Sequence, residues 1–159
     1  MIFDSRRGNR WYVYATRADG ELVDGKRVER LLTPNGGRYG SLSPSGDSLA
    51  YTSGDRIVIR DLSTGSETAI TPGPPQFSLP DGFARWSPDG KWMLYSGGQG
   101  SDLHRVRVDG SDRRRLTFFA SALNGDWSPD QRWIVYTSYD GVHRIRSDGS
   151  DDTLLYASF

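Results

Sequence analysis

Trp86-Ser87-Pro88-Asp89-Gly90-Lys91 decides the fold, because the chain carries this phrase three times. The other copies are Leu42-Ser43-Pro44-Ser45-Gly46-Asp47 and Trp127-Ser128-Pro129-Asp130-Gln131-Arg132. Ser43, Ser87 and Ser128 stand 44 and 41 residues apart, a period that belongs to small β-units that stack on one another. The phrase is a turn with a mechanism. Pro presets φ at the second turn position, the Asp side chain bonds its own backbone, and Gly accepts the left-handed conformation.

Working outward, each phrase is followed by an apolar, aromatic run: Ser48-Leu49-Ala50-Tyr51-Thr52-Ser53, Lys91-Trp92-Met93-Leu94-Tyr95-Ser96 and Arg132-Trp133-Ile134-Val135-Tyr136-Thr137-Ser138. A third element alternates apolar and long polar residues at Ile57-Val58-Ile59-Arg60, His104-Arg105-Val106-Arg107-Val108 and His143-Arg144-Ile145-Arg146, so one face packs and the other meets water. Turns at Thr64-Gly65, Asp109-Gly110 and Asp148-Gly149 lead into a fourth strand ending Ile70-Thr71, Leu116-Thr117 and Leu155-Tyr156. Before the Trp, the first strand of the unit carries small residues, Gly40, Ala84 and Gly125, which suit the crowded position nearest a propeller axis.

The unit is a four-stranded antiparallel meander, A to D. The chain is therefore all-β, expected to be a β-propeller in the form of an open arc. About three blades, at 37–72, 81–117 and 122–156, follow an N-terminal half-blade at 10–36, a two-stranded hairpin of strands C and D. Its Gly20 keeps the register of Gly65 and Gly110. All of 1–159 is read as one propeller domain or a fragment of one. Half a blade is missing from a closed ring, so exposed apolar blade faces and self-association are expected.

Trp-Ser-Pro-Asp-Gly resembles the signature of the WD-like repeat in TolB-type propellers, which also occurs in tricorn-type and prolyl-oligopeptidase-type propeller domains. Trp86 to Gly90 matches fully. Trp127 to Asp130 matches, with Gln131 for the Gly, and Leu42 to Gly46 departs at the first and fourth positions. The Leu-Thr ending of the repeat stands at Leu32-Thr33 and Leu116-Thr117, with Ile70-Thr71 close to it. The resemblance implies a non-catalytic scaffold that meets protein partners. The alternatives it leaves are the substrate-gating propeller of a prolyl-oligopeptidase-type serine hydrolase, and a carbohydrate- or small-ligand-binding propeller. It also implies a periplasmic or secreted setting, whereas Met1 to Arg7 lacks the apolar core of a signal peptide, which points to the cytoplasm if the chain is complete.

Lys plus Arg and Asp plus Glu both number 20, so the chain has no general electrostatic attraction for nucleic acid. No apolar run approaches the roughly 20 residues of a membrane helix. Zero Cys removes disulfides and thiolate metal sites. No Gly-x-Ser-x-Gly elbow, phosphate loop or His-Glu-x-x-His occurs, so the chain is read as no enzyme, with no catalytic residue, cofactor or metal. His104 and His143 repeat because the unit repeats, and a tetrahedral site needs more ligands than two. Arg113-Arg114-Arg115 fits a charged outer edge strand, and Asp148, Asp151 and Asp152 fit a rim turn. Trp86 and Trp127 are expected in the core between blades, with Trp92 and Trp133 more exposed.

Specificity is expected in the segments that break the repeat, 72–83 and 117–124, read as loops from one blade's rim to the next blade's inner strand. Phe77, Asp81, Phe83, Phe118, Phe119 and Asn124 are their candidate partner-binding residues.

Overall fold

The repeated turns close as their chemistry dictates. In the middle copy the Ser87 hydroxyl donates to Asp89 Oδ1 at 2.6 Å and accepts the Trp92 N–H at 2.9 Å, while the Lys91 N–H bonds the same carboxylate at 3.1 Å. Gly90 sits at φ +70°. The third copy repeats this with Ser128, Asp130 and Trp133, and there Gln131 takes the left-handed place at φ 60°. The first copy lacks Asp at its fourth position. Asp47 substitutes, accepting the Ser43, Ser45 and Ser48 hydroxyls at 2.9 to 3.0 Å.

The computed structural model describes residues 1–16, 22–23, 26–73, 79–98, 101–118 and 121–158. All strand pairs are antiparallel. β1 (Ile2–Arg7) and β2 (Arg10–Thr16) form a hairpin; a short ladder of β3 (Leu22–Val23) and β4 (Lys26–Arg27) follows, and β5 (Glu29–Leu31) pairs with β2. Three four-stranded blades come next. The first is β6 (Arg38–Leu42), β7 (Ser48–Ser53), β8 (Arg56–Asp61) and β9 (Glu67–Ala69). The second is β10 (Leu79–Trp86), β11 (Trp92–Gly98), β12 (Asp102–Arg107) and β13 (Arg114–Arg115). The third is β14 (Leu123–Trp127), β15 (Trp133–Ser138), β16 (Gly141–Arg146) and β17 (Thr153–Ala157).

The N-terminal unit thus has one strand more than the hairpin read from sequence. A turn with Gly8 at φ +60° folds Ile2–Arg7 back along β2 over six rungs. The Asp4 carboxylate then accepts the Tyr39 N–H at 2.6 Å, tying β1 to the inner strand of the next blade.

Three apolar clusters join successive sheets. Val13 and Leu32 meet Leu49, Tyr51 and Val58; Ala50, Ile57 and Ile70 meet Ala84, Met93, Tyr95 and Val106; Leu94, Leu103 and Leu116 meet Ala122, Ile134, Tyr136 and Ile145. Each strand gives alternate residues to alternate neighbours, as period two requires. The Leu-Thr endings close each interface. Leu32, Ile70 and Leu116 are buried, and the hydroxyls of Thr33, Thr71 and Thr117 accept the N–H of Val13, Ile57 and Leu103 at 2.8 to 3.0 Å. In the third blade Tyr156 stands in the Thr place and pairs with Val142 through backbone, so β17 runs longer than β9 or β13.

Small residues on the inner strands answer to close approach. A Cβ on Gly40 would lie 2.6 Å from Val13 Cγ1, and one on Gly125 would lie 2.8 Å from Leu94 and 2.9 Å from Leu103. Trp86 and Trp127 are half-buried rather than enclosed in the core. Their rings lie against the apolar clusters, and their indole N–H groups reach out to the Ser41 and Arg85 carbonyls of the preceding inner strand at 2.9 and 3.4 Å. Trp92 lies under Arg105 and Arg107, and Trp133 under Arg144 and Arg146, all at 4.3 to 4.7 Å, which shields these half-buried rings with guanidinium groups.

Candidate functional site

Each inner strand breaks its register at the same place. The ladder slips between Arg38 and Ser41, Gly82 and Arg85, and Leu123 and Asp126, and the bulges hold Tyr39, Phe83 and Asn124 at φ 59°, 56° and 53°. Left-handed non-glycine residues are costly and cluster where a side chain is being aimed. Here the bulge turns one side chain per blade onto a common surface. The Tyr39 and Phe83 rings stack with centroids 4.2 Å apart, and the Arg38 guanidinium lies 4.9 Å from the Tyr39 ring centre. Tyr39, Phe83 and Asn124 line an open depression of about 300 Å³ together with Asp4, Gly40 and Arg85. A second cavity of about 150 Å³ shares Tyr39 and Phe83 and reaches Arg38, Thr52, Asp81 and Ser96.

Asp81 is buried. Burial pushes its carboxyl pKa up, the Thr71 hydroxyl and the Arg113 charge pull the other way, and the Asp55 charge adds to the rise. Its backbone N–H is held by the Asp55 carbonyl at 3.2 Å. Gly97 makes room for it, because a Cβ there would lie 2.2 Å from Asp81 Oδ1.

These positions correct the sequence reading. Asp81 and Phe83 belong to β10 and Asn124 to β14, so they sit on inner strands and not in loops. Phe118 is exposed with Arg115 over its ring at 5.0 Å, and lines neither cavity. Phe77 and Phe119 lie outside the described residues. Sequence reasoning missed Tyr39, Arg38, Asp4 and Thr52. The first was within reach, since Tyr39 precedes Gly40 as Phe83 precedes Ala84 and Asn124 precedes Gly125.

The histidines occupy equivalent places in successive blades and do not converge on one site. His104 stacks on Tyr95 and His143 on Tyr136, at 5.2 and 5.1 Å. Burial, then the Arg113 charge, lowers the pKa of His104. His143 lies between Asp140 and Asp152 at 2.9 and 3.2 Å, and the Tyr136 hydroxyl donates to Asp152 at 2.6 Å. Among the described residues no three His or carboxylate groups are arranged to hold a metal ion. Asp148 accepts the N–H and hydroxyl of Ser150 as a turn residue. Arg115 pairs with the buried Asp102 at 2.6 Å, and Arg114 with Asp112 at 3.0 Å, so two members of the arginine run neutralise local carboxylates.

No family model matches the sequence. An uncharacterised Agrobacterium fabrum protein is 36% identical over 96 residues, which is 55% of this chain and 31% of that protein. A TolB structure from Agrobacterium tumefaciens superposes with TM-score 0.75 at 25% identity, covering 94% of this chain and 61% of the other. TolB from Acinetobacter baumannii gives 0.74 at 22%, covering 99% and 40%. Enzymes share the fold, among them a Mycobacterium tuberculosis puromycin-hydrolyzing peptidase at TM-score 0.67 and 19% identity, covering 99% and 29%. The fold is that of a TolB-like β-propeller, and the chain spans less than two-thirds of the length of each of these proteins.

Proposed function

We propose that this chain is a non-catalytic TolB-like propeller scaffold whose inner-strand surface receives a protein partner. The observation that supports this reading is the row of aimed side chains, Tyr39, Phe83 and Asn124, set beside Arg38 and Arg85. Aromatic and arginine side chains at the centre of a concave surface supply most of the binding energy in protein interfaces. The bulges hold them in place before a partner arrives, which lowers the entropy lost on binding. The rim residue Phe118 is a secondary contact in this reading.

The test is affinity capture followed by titration with the purified partner. Phe83→Ser should weaken saturable binding by about 2 kcal/mol or more, while Leu154→Ser on the far blade leaves it unchanged. Equal binding by wild type and Phe83→Ser contradicts the reading, and so does ester or peptide turnover by the repurified chain that a point mutation abolishes.

A second reading makes the chain the substrate-gating propeller of a prolyl-oligopeptidase-type hydrolase. The likeness to a peptidase of more than three times the matched length favours it. A Gly-x-Ser-x-Gly segment elsewhere in the same reading frame distinguishes the two. Self-association through the third blade's outer face, where Val135 and Leu155 are exposed, is a further part of the scaffold reading that sedimentation tests.

A further inference from the structure

We propose that the outer face of the third blade docks a second copy of this chain head to tail, against the open face of the N-terminal unit that carries Met1, Phe3 and Tyr14. The proposal rests on the self-association part of the scaffold reading and names the surface that the third blade meets. It starts from how the molecule covers the same face elsewhere. Leu94 and Leu103 of the second blade are buried against Ile134 and Tyr136 of the third, and one interface earlier Ala50 and Ile57 are buried against Met93 and Tyr95. The receiving side is thus an apolar residue of the second strand and the aromatic residue two places on.

The N-terminal unit carries a receiving side of the same design. Met1 stands opposite Thr16, accepting its N–H at 2.9 Å and donating its terminal ammonium to the Thr16 carbonyl at 3.0 Å, which is the place Met93 takes against Val106 and Ile134 takes against Ile145. Phe3 pairs with Tyr14 and stacks on it at 5.7 Å, as Tyr95 does on His104 and Tyr136 on His143. Tyr95 and Tyr136 are buried, whereas Met1 is 72% exposed and Phe3 and Tyr14 are half-buried. The third blade supplies the matching outward side. Val135 and Val142 hold the register places of Leu94 and Leu103, and Val135 is exposed. Arg144 lies over Trp133 at 4.3 Å as Arg105 lies over Trp92 at 4.6 Å. Arg105 donates from Nη1 to the Ser147 carbonyl of the next blade at 2.7 Å, so Arg144 is placed to bond a backbone carbonyl of the unit that docks. The two open faces repeat the two unlike sides of one packed interface, so each fits the other and the contact is heterologous. Covering both removes apolar surface from water.

Sedimentation of the 159-residue chain tests this. Wild type should sediment as more than one copy at about 100 μM, where a contact with Kd of about 10 μM is mostly formed. Val135→Lys and Phe3→Lys each place a charge in the contact and should weaken association at least about tenfold. Mixing the two variants should restore it, because one copy keeps an intact third blade and the other an intact N-terminal unit. Circular dichroism of each variant checks that it is folded, and Val142→Ser with Tyr14→Ser repeats the test if a lysine unfolds the chain. Wild type that stays monomeric overturns both the proposal and the self-association reading. Association of Phe3→Lys alone at wild-type strength, the outcome for two third blades face to face, overturns the proposal and leaves that reading standing. So does a mixture of folded variants that fails to associate.

Discussion

The second and third blades carry the same pattern with different outcomes. Leu94, Leu103 and Leu116 face the third blade and are fully buried, Leu116 at 2% exposure. Their counterparts one repeat later are Val135 and Val142, in the same register of β15 against β16, and Leu155, which falls at the register shift between β16 and β17, yet Val135 is 42% and Leu155 51% exposed. Alternation decides which side of a strand an apolar residue takes. Whether that side is dry depends on the next blade, so stability in a stacked array is a sum of sheet and interface contributions.

The largest expected effect breaks a covered interface. Leu103→Ala should lower unfolding stability by about 2–5 kcal/mol through lost burial and a cavity, whereas Val142→Ala on the open side should cost less than about 1 kcal/mol; urea denaturation of the pair measures both. Gly125→Ala tests the same interface by overfilling it. Its Cβ would press on Leu94 and Leu103, at a cost of about 1–3 kcal/mol, and an unchanged midpoint would show that the inner strand has slack.

The turns and the buried carboxylate respond to pH in opposite directions. The Ser63 hydroxyl, then the Thr64 and Ser63 N–H groups, hold Asp61 at about 2, and serine hydroxyls likewise lower Asp47, Asp109 and Asp148. A carboxyl whose folded pKa lies below the unfolded value of about 3.9 contributes stability above that value and loses it as pH falls through the folded one. The urea midpoint should therefore drop between about pH 4 and 2. Asp81 runs the other way. Its pKa is raised by burial, so folding is penalised increasingly as pH rises past the unfolded value toward and through the folded one. Asp81→Asn should remove that slope and gain stability at neutral pH; a variant that loses stability there would show that the carboxylate is paired.

The smallest effect is a gain. Gln131 holds the left-handed φ that Gly90 and Gly46 supply in the other copies, and Gln131→Gly should stabilise by about 0.5–1 kcal/mol if strain outweighs the added unfolded-state entropy.

Much of this architecture was legible because it repeats. The Ser-Pro-Asp-Gly phrase, the alternating third strand and the Leu-Thr endings each have a local physical cause, and those causes act in every copy. The first strand escaped because Ile2-Phe3-Asp4-Ser5-Arg6-Arg7 has no preceding turn phrase, and its place comes from Asp4 reaching the next blade's backbone. Trp86 and Trp127 were expected inside because they are large and apolar, but each indole N–H finds its acceptor on a neighbouring strand, which keeps the ring at the seam. The inner-strand bulge was illegible residue by residue, since Tyr, Phe and Asn carry no common left-handed signal. Phe83 and Asn124 consequently read as loop residues, and the Asp81 cavity, made by two blades meeting, had no linear trace.

Leu116 and Leu155 hold the same place in successive blades, and one experiment on the two tests most directly that burial here is set by the neighbouring blade. Leu116→Ala should cost about 2–5 kcal/mol and Leu155→Ala less than about 1 kcal/mol in urea unfolding of the dilute monomeric chain. Equal costs would contradict the account, because the outer face of the third blade would then be as covered in solution as the interface before it.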